Sequence, residues 1–325
     1  MKESETGCLQ LTESGQLRHL LTLRGLGRDF ISNLLDRSET YRHKPGAPPI
    51  RDKALDGRTV VNLFFEPSTR TRASFELAAK RMSAHVLNLD VNMSSRKKGE
   101  SILDTIYTLQ AMEADVFVVR DASAGIPEFI ARKVRPNVSV LNAGEADVSH
   151  PTQGLLDLLT IRQHKQSLDG LTVTVIGDLK HSRVARSLAE GLSTMGSNEL
   201  RLVAPPELVP DMEFYSQGVL VDDVDEAIND ADVIMTLRIQ RERIKGKSSL
   251  MTNHEYLKKY GLTEERLSRA RPDAIVMHPG PMNRDVEIAG PVADGPQSVI
   301  TQQVNNGLAI RMAVLSAVFE SRQNQ

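Results

Sequence analysis

Apolar positions along the chain follow two rhythms. Thr59–Phe65 (TVVNLFF) is a continuous β-branched and aromatic run, which predicts a buried strand. The period then lengthens: Phe75, Ala78, Ala79 and Met82 recur at helical spacing and predict a helix ending near Met82. His85–Leu89, Asp115–Val119 and Val138–Asn142 read as further strands with helices between them. The second half repeats this grammar. Leu171–Ile176, Leu200–Ala204, Asp232–Leu237 and Ala274–His278 read as strands, Arg183–Met195 as a helix, and Val304–Phe319 as a long closing helix. Two short helical stretches are expected ahead of the Pro- and Gly-rich loop Lys44–Pro49. Strands spaced by helices predict an α/β fold: two doubly wound parallel-sheet domains joined by interdomain helices, with His150–His164 as the bridge. The expected divisions are a polar leader over residues 1–16, domains over 17–150 and 151–303, and a terminal helix over 304–325 packing back on the first domain. The leader reads equally as a disordered segment or a contact arm.

Composition narrows the class. A chain of 325 residues exceeds the ~250–300 that one core usually supports, which fits two domains. Lys and Arg number 40 against 42 Asp and Glu, so no nucleic acid or anionic membrane is expected as a partner. Cys8, the single cysteine, permits neither an internal disulfide nor a cysteine-rich metal site and fits a reducing compartment. Glu3, Glu5 and Glu13 leave no apolar stretch for a signal peptide, and no segment approaches the ~18 apolar residues of a membrane helix. A cytoplasmic protein is expected.

Ligands of open α/β sheets bind beyond the carboxyl ends of the strands, so the residues leaving each strand carry the functional information. After the first strand, Ser68 is placed to cap a helix whose first turn holds Thr69, Arg70 and Thr71, with Arg72 next. Arginines there oppose a dipole that favours anions by ~0.3–1 kcal/mol. That points to a bound anion, with free N–H groups, hydroxyls and a guanidinium as a phosphate cradle. The other reading is a merely capped turn in which Glu66 pairs with an arginine.

Arg120 ends another strand, and His150-Pro-Thr-Gln153 opens a helix after the next, where a histidine is more often structural. Gly177-Asp-Leu-Lys-His-Ser-Arg183 lacks the G-x-G-x-x-G of dinucleotide sites. Arg238-Ile-Gln240 and the turn His278-Pro-Gly-Pro281, which can present backbone carbonyls, follow two later strands. The basic loop Ser94–Gly99 is either a solvated charge run or a flap hinged at its glycine. Together these ask for a small, multiply anionic substrate split between two domains. No Cys–His pair, G-x-S-x-G elbow, P-loop or metal-ligand spacing is present in the sequence. Catalysis by positioning and electrostatics, without cofactor or metal, is what remains.

In this order, Phe65-Glu-Pro-Ser-Thr-Arg-Thr-Arg72, Lys97-Lys-Gly-Glu100, His150-Pro-Thr-Gln153, Gly177-Asp-Leu-Lys180 with Arg183, Arg238-Ile-Gln240 and His278-Pro-Gly-Pro281 resemble the aspartate carbamoyltransferase family, from about residue 17 to the end. That family belongs to the aspartate/ornithine carbamoyltransferase superfamily. The resemblance implies transfer of the carbamoyl group of carbamoyl phosphate to the amine of L-aspartate, the committed step of pyrimidine (UMP) synthesis. It implies that Ser68, Thr69, Arg70 and Thr71 hold the phosphate, that Thr71, Arg120 and His150 contact the carbonyl oxygen, and that Gln153 contacts the amide nitrogen. Arg183, Arg238 and Gln240 would bind the aspartate carboxylates, and the backbone of Gly280 and Pro281 would face the carbamoyl amide. Ser94 and Lys98 would reach a neighbouring subunit's site, which implies a homotrimer, alone or in a complex with a regulatory or dihydroorotase-like chain. One departure and one discriminating position stand out. Gly280-Pro281-Met282 replaces the family's frequent Leu-Pro-Arg, with an arginine only at Arg284. Pro279 stands where the ornithine enzymes typically have a cysteine, which favours the aspartate class.

Overall fold

The computed structural model describes residues 9–42, 46–89, 101–196, 198–215, 217–243 and 251–323. The chain divides into two compact units, the first Met1–Leu155 with Asn306–Gln325 and the second Leu156–Asn305. Among the described residues, no helix is long and apolar enough to cross a membrane.

The first unit runs α1 (Arg28–Thr40), β1 (Thr59–Phe64), α2 (Thr69–Arg81), β2 (His85–Leu89), α3 (Ile102–Ala111), β3 (Val116–Asp121), α4 (Ile126–Ala131) and β4 (Ser139–Glu145). Its four strands are all parallel, in the order β2-β1-β3-β4. Val61, Leu63, Phe117, Val119 and Val140 of the sheet pack with Ile106, Leu109 and Ile130 of the helices. β3 and β4 are buried along their whole length, as near-continuous apolar runs in a parallel sheet should be. The edge strand β2 is largely exposed.

Ahead of β1 the structure corrects the sequence expectation. Among the described residues between 17 and β1, one helix forms, not two. Leu20 instead pairs in parallel with Leu141 of β4, through Leu20 N–H to Val140 O (2.9 Å) and Asn142 N–H to Leu20 O (2.8 Å). Sheet pairing outcompetes the weak helical pattern. Residues 9–16, read as part of the polar leader, are also ordered. Gln10 is buried, its amide oxygen accepting from the N–H groups of Leu21 (2.8 Å) and Thr22 (2.9 Å).

Helix α5 (Pro151–Lys165) carries the chain from the first unit into the second, which continues β5 (Thr172–Ile176), α6 (Arg183–Met195), β6 (Glu199–Val203), β7 (Gly218–Leu220), α7 (Val224–Ile228), β8 (Val233–Thr236), α8 (Asn253–Tyr260), α9 (Glu264–Leu267), β9 (Ile275–Met277) and α10 (Gly290–Ala293). The five strands are parallel, in the order β7-β6-β5-β8-β9. The three-residue edge strand β7, with Val219 and Leu220 exposed, was not legible as a strand. α11 (Ile300–Gln323) brings the chain back to the first unit. There, Arg37 on α1 grips Glu320 with both terminal nitrogens, and the guanidinium of Arg311 lies 5.0 Å from the centre of the Phe75 ring on α2.

Both sheets use one device to register their central strands. Asp115, just ahead of β3, accepts from Thr59 N–H at the start of β1 (2.9 Å), and its own N–H returns a bond to Thr59 O (2.9 Å). Asp232, just ahead of β8, does the same with Thr172 at the start of β5 (2.9 Å and 2.8 Å). Removing such a carboxylate strips a largely buried N–H of its acceptor, at about 1–3 kcal/mol. Asp232→Ala is therefore expected to lower the unfolding free energy of the second unit by that amount, read as a fall in its urea midpoint at unchanged m, with Asp232→Asn recovering part of the loss.

Candidate active site

The winding of each sheet reverses beside its first strand, between β1 and β3 in one and between β5 and β8 in the other. The carboxyl ends of such strand pairs are where open α/β sheets bind ligands. In the first unit β1 leads into Glu66-Pro-Ser68 and then α2. Ser68 occupies the N-cap position with extended backbone, yet its side chain makes no capping hydrogen bond, contrary to the role expected of it. The first turn of α2 holds Arg70 and Arg72 and no acidic residue. Arg70 is exposed and Thr71 half-buried. A helix start carrying cations and uncapped N–H groups is arranged for an anion.

Arg120, one residue before the end of β3, lies beside this turn, its carbonyl accepting from Phe65 N–H (2.8 Å). Its side chain is buried, with one guanidinium nitrogen on Ala143 O (3.0 Å) and another on Glu66 Oε1 (3.2 Å). The carboxylate of Glu66 thus pairs with an arginine, as the simpler reading anticipated, but across the sheet from β3. β4 ends in a turn closed by Glu145 N–H to Ser149 O (2.9 Å), which returns the chain to His150 at the start of α5. His150 is buried, and Gln153 sits one turn on, its N–H bonded to His150 O (2.9 Å). Burial pushes the Glu145 carboxyl above the usual carboxylate range, although it accepts from the Gly125 N–H and from Asn142 Nδ2.

In the second unit β5 leads into Gly177 and Asp178. Gly177 has φ +132°, and a Cβ there would stand 2.5 Å from Leu237 O, so the exit of β8 passes in a place only glycine leaves open. Asp178 is fully buried and works as a hub. It accepts from the backbone N–H of His181 (3.2 Å), from His181 Nδ1 (2.9 Å) and from the backbone N–H of Gln240 (3.1 Å). Gln240 replies with Nε2 to His181 O (3.0 Å), and Arg243 reaches the same carbonyl at 3.4 Å. Ser182 caps α6 through Ala185 N–H (3.1 Å), and Arg183 opens that helix, buried. Arg238 leaves β8 half-buried. β9, beside β8, ends in His278, followed by Gly280 (φ +66°) and an exposed Pro281. Arg284, the basic residue nearest to the Met282 departure, forms a two-pronged pair with Asp294 (2.6 and 2.8 Å).

Ser68, Thr69, Arg70, Thr71 and Arg120 therefore lie at the strand exits of one switch point, and Arg183, Arg238 and Gln240 at those of the other. Ser94 and Lys98 lie outside the described residues. Sequence reasoning assigned no part to Asp178, His181, Glu145 or Glu287, although the first two stood inside a quoted motif. Their signal was a carboxylate next to a strand-ending glycine.

Matches to known proteins agree with this layout. Residues 18–163 match the carbamoyl-P binding domain of aspartate/ornithine carbamoyltransferases, and residues 169–318 match their Asp/Orn binding domain. The chain belongs to the aspartate/ornithine carbamoyltransferase family. Among solved structures, aspartate transcarbamoylase from Trypanosoma cruzi in complex with carbamoyl phosphate and aspartate is 30% identical, with a TM-score of 0.84 over 95% of this chain and 98% of that one. The same enzyme with carbamoyl phosphate alone is 31% identical at the same TM-score. Ornithine carbamoyltransferase from Thermus thermophilus is 26% identical, with a TM-score of 0.80 over 93% of this chain and 98% of that one. The carbamoyltransferase fold is thus shared by enzymes with two different acceptors.

Gly177→Ala should force Leu237 away and strain a left-handed backbone, lowering stability by about 1–3 kcal/mol. A fall in the thermal midpoint checks this; an unchanged midpoint would mean that the two strand exits move apart freely.

Proposed function

We propose that the acceptor of this carbamoyltransferase is L-aspartate, and that the product is N-carbamoyl-L-aspartate with release of phosphate, the committed step of pyrimidine synthesis. The observation that carries this reading is the charge at the second switch point. Arg183 and Arg238 supply two guanidinium groups there, suited to two carboxylates. An ornithine side chain would need a free anion, and Asp178 is already engaged by His181 and Gln240. The absence of cysteine at Pro279 and the resemblance to aspartate enzymes point the same way.

On this reading the phosphate of carbamoyl phosphate rests on Ser68, Thr69, Arg70 and Thr71 at the start of α2. Thr71, Arg120 and His150 surround the carbonyl oxygen, Gln153 meets the amide nitrogen, and the carbonyls of Gly280 and Pro281 accept from the amide. Gln240 joins Arg183 and Arg238 around aspartate. The unprotonated amine attacks the carbamoyl carbon, charge develops on the carbonyl oxygen, and the C–O bond to phosphate breaks. Arg120 is held in place by Ala143 O and Glu66 before any substrate arrives, which is what an oxyanion donor requires. The loss of one such donor typically costs ~2.7–4 kcal/mol of transition-state stabilisation.

The reading extends to a homotrimer in the cytoplasm, in which Ser94 and Lys98 complete a neighbour's site. Supporting it, the edge strand β2, which leads into that loop, exposes Leu87, and α2 packed against it exposes Leu77. Exposed apolar side chains at a sheet edge favour a protein contact. A regulatory or dihydroorotase-like chain would be an addition to that trimer.

Arg238→Ala is expected to raise the KM for aspartate by about 10²-fold, the scale of a lost charged pair, with carbamoyl phosphate binding nearly unchanged. Turnover of ornithine comparable to that of aspartate, or equal loss for both substrates, refutes the acceptor assignment. The shared site has its own test. Homotrimers of Arg70→Ala and of Lys98→Ala should each be nearly inactive, while mixed trimers should regain one working site per ring. Hybrids verified by native mass spectrometry but still inactive would place Lys98 outside the neighbour's site.

A further inference from the structure

The turn after β9 is fixed by a buried chain of polar groups that begins on α5. Asp157 on α5 accepts from Gln303 Nε2 on α11 (2.7 Å), and Gln303 Oε1 accepts from the backbone N–H of His278 (3.1 Å). The His278 ring continues the chain in two directions. Its Nδ1 lies 2.8 Å from Gly280 N, and its Nε2 lies 3.1 Å from Glu287 Oε1, which also accepts from Asn283 N–H (2.6 Å). All four of these side chains are at most 1% exposed.

These contacts leave the ring one protonation state. A backbone N–H can only donate, so Nδ1 must offer a lone pair to Gly280. A carboxylate can only accept, so Nε2 must carry the proton facing Glu287. With both nitrogens occupied and no surface exposed, the imidazole is unable to exchange a proton with a substrate. Its action is on Gly280, whose left-handed backbone (φ +66°) turns its N–H back onto the ring and thereby aims the carbonyls that follow.

We infer that His278 is a positioning residue: its neutral, Nε2-protonated ring fixes the Gly280–Pro281 carbonyls for the carbamoyl amide through the Gly280 N–H. This rests on the proposal that those carbonyls receive the amide.

Two isosteres separate the ring's two contacts. His278→Asn puts an amide oxygen where Nδ1 stands and keeps an acceptor for Gly280. His278→Gln reaches towards Glu287 but leaves Gly280 N–H without its partner. By calorimetry, H278N should bind carbamoyl phosphate within about threefold of wild type, whereas H278Q should lose about tenfold or more. Inorganic phosphate, which makes no use of the carbonyls, should bind both variants like the wild type. Equal losses in the two variants, or phosphate affinity falling in step with carbamoyl phosphate, would overturn the inference. So would an Nδ1-protonated or doubly protonated ring in ¹⁵N spectra of histidine-labelled wild type, with the His278 ring signal assigned by through-bond correlation to its own backbone. That spectrum decides the matter even if neither variant folds. Wild-type protein that binds phosphate but not carbamoyl phosphate would instead refute the functional reading, with the ring state found as described.

Discussion

A parallel strand is reached from its neighbour by a right-handed crossover, and a sheet that grows first to one side of its starting strand and then to the other must send adjacent loops to opposite faces. Here that happens twice, between β1 and β3 and between β5 and β8. The two strands on either side of each reversal are locked together at their opposite ends, by Asp115 on Thr59 and by Asp232 on Thr172. A clamp at the amino end therefore sets the register of the pair whose carboxyl ends part to admit a ligand. The Glu66–Ser68 turn and Arg120 leave one such pair, and the Gly177–Arg183 and Arg238–Gln240 segments leave the other.

Cations at these crevices are held before a ligand arrives. Arg120 is fastened by Glu66 and by the Ala143 carbonyl, and the arm carrying Arg238 is fastened through Gln240 to Asp178. Such preorganisation matters because the reaction offers the protein little covalent work: a good leaving group departs, and what must be supplied is orientation and a place for developing negative charge. Carboxylates serve here as struts. Asp178, Glu287 and Glu66 each accept from groups whose direction the site depends on. Gly177 belongs to the same economy of space, since a side chain there would separate the strand exits that Asp178 ties together.

The sheet core was legible because buried parallel strands are continuous apolar runs and the helices between them change the period. Each strand read from Thr59 to His278 was found with its ends within one to three residues. β7 escaped because three residues, two of them exposed, leave no such run, and one of the two helical stretches expected early in the chain is absent because Leu20 gains a strand partner 121 residues away in Leu141. Around the site, the residues whose type announces their chemistry, such as Arg70, Arg120, Arg183 and Arg238, stood at strand ends and could be picked out. Ser68 was a different case: its position was right, but the side-chain bond expected of it is not made.

By itself the sequence determined the class of the fold, the two-sheet plan and the set of basic residues at strand exits, because periodicity and residue type are local properties. Only the tertiary structure decided which of those residues are neighbours and what holds them. That Glu66 meets Arg120, that Asp178 receives both His181 and Gln240, and that the tautomer of His278 is set by Gly280 on one side and Glu287 on the other depend on strand order and on hydrogen-bond direction. Strand order is a product of the whole sheet's packing, and hydrogen-bond direction exists only once two backbone segments have been brought within 3 Å or so of each other. Neither is written in any one stretch of the chain.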